Sequence, residues 1–106
     1  SVAAVENINA LLASCPRIAA VVFNAANFLK DLGVADTGDA MQILHARSKV
    51  ALACRAAGVP AIDRPWYDAK DRAGFEADAR NARALGFTGK LAVNGGQVPL
   101  INEIFA

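Results

Sequence analysis

Asn24 and Asn27, Asp63, and the run Asn94-Gly95-Gly96 are the residues of this chain best placed to do chemistry. Each group follows a short apolar stretch: residues 18–23 before the two asparagines, 59–62 before Asp63, and 91–93 before Asn94. Amides and a carboxylate gathered at strand ends can orient a polar ligand, and the carboxyl-terminal rim of a parallel sheet is where α/β folds bind ligands. Asp63 has two readings: it orients substrate or an ordered water, or it pairs with a neighbouring cation such as Arg64. Asn94, Gly95 and Gly96 either present backbone amides to an anion at a helix start or form a flexible turn.

Other chemistry is thinly supplied. His45 is the single histidine, and Cys15 and Cys54 lack the CxxC spacing of a metal or redox motif, so a zinc centre is not expected. The two thiols read as a reduced, cytoplasmic pair. No G-x-G-x-x-G and no G-x-x-x-x-G-K-[ST] follows an apolar stretch, which argues against nucleotide binding. Arg47 and Lys49 read as a solvated helix face, Asp68 and Asp71 as turn and helix-cap residues, and Met41, Phe75, Phe87 and Phe105 as core. Trp66 and Tyr67 line a pocket or pack a loop.

The elements that must position these groups follow from apolar spacing. Residues 1–14 carry Val2, Val5, Ile8, Leu11 and Leu12 three and four apart, one stripe of a helix. The unbroken apolar run 18–23 predicts a strand buried on both faces, followed by a loop through Gly33 and the 36–39 turn cluster. A helix over 40–57 is capped by Gly58; a short strand over 59–62 leads to Asp63. A helix over 72–85, with Glu76 between Arg72 and Arg80, is capped by Gly86. A strand over 90–93 and a helix over 97–105, with Pro99 in its first turn, end the order.

The chain has 106 residues, 55% apolar and 20% charged, with a net charge of +1. That length holds one domain with a modest core, and the charge gives no reason to expect nucleic acid or an anionic membrane as partner. The longest apolar run is far short of the ~20 residues of a membrane span, and no signal-peptide pattern opens the chain. The fold class is α/β: about three parallel strands alternating with four helices. A closed (β/α)8 barrel needs eight strands and about 250 residues, so residues 1–106 read as a single partial-barrel unit.

Three segments carry a family pattern: VFNAANFLKDLG at 22–33, ARSKV at 46–50 with GVPAID at 58–63, and LGFTGKLAVNGGQV at 85–98. Together they resemble the carboxyl-terminal part of the citrate lyase β-subunit family, the citryl-CoA and malyl-CoA lyases of the HpcH/HpaI aldolase superfamily. The resemblance runs in order over nearly the whole chain, and LGFTGKL is its most specific stretch.

The resemblance implies a magnesium-dependent carbon–carbon lyase on a (β/α)8 barrel, oligomeric and cytoplasmic, acting on CoA thioesters of 2-hydroxy or keto acids. The metal would polarise the substrate carbonyl and stabilise the enolate formed on cleavage. The family's metal ligands are a Glu immediately before the position of Ser1 and an Asp at the position of Asn27. Its F-G-x-x-D has a glycine where this chain has Asn24, and its I-H-P-x-Q is matched by Val93-Asn94-Gly95-Gly96-Gln97. Asp63 keeps the family residue. The roles implied are therefore catalytic for Asp63, substrate binding for Asn24, Asn94 and Gly95, and metal binding for Asn27; Arg47 and Lys49 would lie near the CoA phosphates. An amide at 27 weakens magnesium binding. Two functions follow: a lyase incomplete or impaired in this chain, or a catalytically silent fragment or degenerate paralogue serving as a structural or assembly unit. Exposed strand edges lead us to expect a homo-oligomer.

Overall fold

Val5, Ile8 and Leu12, at helical spacing, are the buried residues of the opening segment of the computed structural model, which describes all of residues 1–106. That segment is two helices rather than one, α1 (Val2–Glu6) and α2 (Ile8–Ser14). Asn7, with φ −106° and ψ 17°, divides them, and its side-chain Nδ2 joins its own backbone N–H in donating to the Ala3 carbonyl, at 2.9 and 3.0 Å.

β1 (Val21–Val22), β2 (Ala61–Asp63) and β3 (Gly89–Lys90) form a parallel sheet in the order β1-β2-β3. The register sets Val22 beside Ile62 and Asp63 beside Lys90. The paired segments are shorter than the apolar runs suggest. Pro60 has no N–H to give, so β2 begins at Ala61, although the Pro60 carbonyl still accepts from Val21 N at 2.9 Å. The expectation that residues 18–23 are buried on both faces is overturned: Phe23 is buried, but Val22 is 51% exposed. Successive side chains alternate across a sheet; the Phe23 side packs on the helices, and the Val22 side also leaves Leu91 exposed.

Residues 25–32, expected as loop, form the helix α3 (Ala25–Leu32). Asn24 supplies its N-cap, Ala25 and Leu29 its buried face, and Gly33 its left-handed end. After a 3₁₀ turn at Ala40–Ile43 comes α4 (Leu44–Ala57), which buries Ala46, Arg47, Val50, Ala51, Ala53 and Cys54. The tighter turn shifts the helical phase: Met41, expected in the core, is 75% exposed, and Leu44 beside it is 50% exposed. α5 (Arg72–Leu85) buries Phe75, Asp78, Ala79 and Ala82, while Leu85 is only half-buried. Of the two arginines expected beside Glu76, Arg80 makes the ion pair, at 3.0 Å. Gly58 and Gly86 close α4 and α5 with φ of 71° and 110°, a backbone region that side chains disfavour. A 3₁₀ turn at Gly95–Gln97 then leads into α6 (Val98–Ile104).

Two apolar clusters result. The larger joins α1, α2 and α4 to the sheet through Phe23, Ile43, Val50 and Phe87; the smaller joins Phe75 and Ala79 of α5 to Leu100 and Ile104 of α6. Phe87 is fully buried, 6.5 Å from the Phe23 ring, and a burial of that size is worth about 2–3 kcal/mol. Phe105 is half-buried against both clusters.

Candidate functional site

Asp63 and Lys90 are paired in the sheet register, and the pleat turns both toward the helices. There they meet Arg47 of α4 and Asp78 of α5. Arg47 grips Asp63 with two hydrogen bonds, Nε to Oδ1 at 3.0 Å and Nη2 to Oδ2 at 2.7 Å, and Nη2 also donates to Asp78 Oδ1 at 3.0 Å. Lys90 Nζ bridges the two carboxylates at 2.6 Å to each. Arg64, just past β2, donates to Asp78 through Nη2 at 2.9 Å and Nε at 3.3 Å. None of the five groups is more than 7% exposed. Three cations thus surround two anions, a net charge of +1 inside the fold.

This arrangement corrects the expectation that Arg47 lies on a solvated face. Its position in the series 43, 47, 50, 51, 54 places it on the buried stripe of α4, where only a carboxylate makes a guanidinium tolerable. Asp63 pairs with Arg47 and Lys90, and Arg64 takes Asp78 instead. Asp78 was missed although the signal was present: with Phe75, Ala79 and Ala82 it shares one helical face. Lys90 likewise stands inside a stretch otherwise read as an apolar strand.

Burial alone would raise the Asp78 carboxyl. The hydrogen bonds from Arg64 and Lys90, with the charges of Lys90 and Arg47, outweigh that and hold it well below the usual carboxylate range. For Arg47, burial works against the charge, and the hydrogen bond and charge of Asp63 more than offset it, raising the guanidinium. Burial also pushes the Cys54 thiol up.

At the end of β1 the character changes. Asn24 and Asn27 are exposed, and Asn24 Oδ1 accepts from the Asn27 backbone N–H at 3.1 Å, capping α3. Ser1, Asn27, Lys30 and Asp31 line an open cleft of about 460 Å³. Val2 N donates across it to Asp31 Oδ2 at 2.7 Å. Asn94 and Gly95 are exposed on the turn before α6, which buried Gln97 anchors: its Oε1 accepts from Val93 N at 2.9 Å and its Nε2 donates to the Trp66 carbonyl at 3.1 Å. Tyr67 and His45 are exposed, while Trp66 lies beneath Arg64, with the guanidinium carbon 5.7 Å from its ring. The structure therefore brings Asn27 to Ser1 and Asp31. It faces Asp63 into the helix layer, and no side-chain hydrogen bond joins Asp63 to Asn24, Asn27 or Asn94.

Magnesium takes a near-octahedral set of oxygens anchored by one or two carboxylates. No three His, Cys, Asp or Glu side chains of the chain come together as a metal set. In the cleft, the one carboxylate already accepts from Val2, and Lys30 adds a positive charge. The residues present do not fit a magnesium ion.

A family model described as HpcH/HpaI aldolase/citrate lyase matches residues 1–95. The chain belongs to this family. It is 33% identical to the L-malyl-CoA/beta-methylmalyl-CoA lyase of Cereibacter sphaeroides, in an alignment covering 99% of the chain and 38% of that enzyme. It superposes on RipC from Yersinia pestis with a TM-score of 0.91 and 32% identity, covering all of this chain and 48% of that one. The CitE protein of Mycobacterium tuberculosis, solved in complex with magnesium, acetoacetate and coenzyme A, is 27% identical, with a TM-score of 0.70 over 79% of this chain and 33% of that one. The chain spans only 32% to 38% of the length of the first curated relatives. Its three parallel strands with alternating helices are accordingly a partial (β/α)8 barrel of the HpcH/HpaI type.

Proposed function

We propose that this chain is the carboxyl-terminal section of a citryl-CoA or malyl-CoA lyase-type barrel in which magnesium-dependent carbon–carbon cleavage is impaired. The observation that carries the reading is the cleft joining Asn27 to Ser1. The resemblance sets the family's two metal carboxylates at Asn27 and immediately before Ser1. In this reading the cleft is the family's metal corner, and the side chain at 27 is a neutral amide. Magnesium prefers charged oxygens, so affinity falls with the lost carboxylate.

In this reading Asn24, Asn94 and Gly95 offer hydrogen bonds to a CoA thioester of a 2-hydroxy or keto acid at the open rim. Asp63 acts as a positioning residue: gripped by Arg47 and Lys90, it fixes the carboxyl ends of β2 and β3 beneath that rim. The relative holding magnesium, acetoacetate and coenzyme A supports the ligand class. A structural or assembly role is the second reading, favoured by exposed Val22, Leu91 and Val93, which suit a homo-oligomeric contact.

The test is a magnesium titration with a 2-hydroxyacyl-CoA, comparing the chain with Asn27→Asp. Gain of metal binding in the variant, with little or no cleavage by the unmodified chain, is the expected result. Efficient cleavage by the unmodified chain overturns the impaired reading. Binding by neither form favours the structural role.

A further inference from the structure

We infer that the carboxylate of Asp31 clamps the start of α1 to α3 across the cleft that the resemblance assigns to the metal, making this corner of the fold independent of divalent cations. The inference rests on the proposed correspondence between that cleft and the family's metal corner. An ion held by one ligand ahead of α1 and another on α3 would tie those two segments together. Here a hydrogen bond ties them: Val2 N to Asp31 Oδ2, 2.7 Å, between residues 29 apart in sequence. A short bond from an amide to an ionised carboxylate belongs to the stronger class.

The surroundings agree. Asp31 lies four residues after Asn27, on the same side of α3. The helix face therefore still carries a carboxylate near residue 27, but the α1 backbone occupies it. Ser1 Oγ accepts from Ala4 N at 3.1 Å, and Asn27 N is held by Asn24, so the neighbouring polar groups serve as helix caps. Lys30, lining the same cleft, opposes a second cation. The one carboxylate lining the cleft is engaged by a backbone N–H, and a lysine lines the same cleft, so these residues offer a divalent ion little unspent negative charge.

Thermal unfolding with chelator and with millimolar magnesium, calorimetric magnesium titration, and amide exchange by NMR on the full chain test this. The expected results are an equal Tm in both conditions and, for Asp31→Asn, a Tm lower by about 5 °C in either. In that variant the Val2 amide loses protection while the Asn27 amide keeps it. Should Asp31→Asn fold poorly, Val2→Pro removes the donor at a helix position that tolerates proline and lowers the Tm by a similar amount, again equally with chelator and with magnesium. Saturable sub-millimolar magnesium binding by the unmodified chain, abolished in Asn27→Ala, overturns the clamp while leaving the lineage assignment intact. So does Asp31→Asn with Val2 protection unchanged. Cleavage of a 2-hydroxyacyl-CoA without any metal overturns the impaired-lyase reading and leaves the clamp standing.

Discussion

The two sides of the carboxyl-terminal rim use polar residues in opposite ways. At the ends of β2 and β3, five charged groups are buried, and each carboxylate is held by at least two cations. At the end of β1, Asn24 and Asn27 are exposed and uncharged, and the nearest carboxylate is turned toward the backbone of α1. Charge in the interior must be paired to be tolerated, so the first side has no spare group to give a ligand. The second side has open space and little charge. Residues at comparable strand ends are therefore not equivalent candidates: one set holds the wall together, and the other faces open space.

Asp78 is where that contrast breaks most easily. It accepts hydrogen bonds from Arg47, Arg64 and Lys90. Asp78→Ala leaves three buried cations around Asp63 alone, and removing one partner of a buried pair costs about 3–5 kcal/mol. We expect a Tm fall of more than about 15 °C, or an unfolded chain, by thermal or denaturant unfolding. A loss under about 1 kcal/mol would show that the network is a surface-like pair and the contrast is illusory. Asp78 also sets an acid limit. Its carboxyl is lower in the folded state than in the unfolded chain, so its contribution is fully present above the unfolded value of about 4 and is lost as pH falls from there toward the folded value. Denaturant midpoints are expected to be level near neutrality and to decline below about pH 4; a variant that folds without Asp78 lacks that part of the slope.

Gly74 tests the packed side by a different means. In most helices Gly→Ala adds up to about 1 kcal/mol of stability. Here an added Cβ would collide with the Asp71 side chain and stand 2.7 Å from Trp66 Cζ2. Asp71 Oδ1 is meanwhile fixed by its cap on Gly74 N at 2.9 Å. Gly74→Ala is therefore expected to destabilise by about 1–3 kcal/mol, the reverse of the helix rule. Equilibrium unfolding in urea reads the sign directly.

The same contrast explains what the sequence made legible. The parallel order, the glycine caps and the Asp71 cap follow from local spacing and turn chemistry. The double burial of residues 18–23 did not hold, because an apolar run says nothing about which face this chain can cover. α3 has its cap, stripe and stop in Asn24, Leu29 and Gly33 and a well-defined apolar face, but at eight residues it is short enough to pass for loop beside the turn residues that follow it. Asn24 lies just past β1 and Asp63 ends β2. Which way each polar residue points does not follow from that position, since Asp63 and Asn24 each directly follow an apolar run. Only the pleat, and partners 16 and 31 residues from Arg47, separate them.

The smallest expected effect lies on the open side. Asn24 Oδ1 accepts one hydrogen bond, from Asn27 N at 3.1 Å, on an exposed helix start. Asn24→Ala removes a good cap and is expected to cost about 1 kcal/mol, whereas Asn24→Gly costs only a few tenths. Glycine is also the residue the family pattern has at this position. If Asn24→Gly leaves the Tm nearly unchanged while improving binding of an acyl-CoA, the amide obstructs the rim and its capping role is dispensable. If it lowers stability as much as Asn24→Ala and leaves binding untouched, residue 24 belongs to the scaffold. The β1 end would then resemble the β2 end more closely than its exposure suggests.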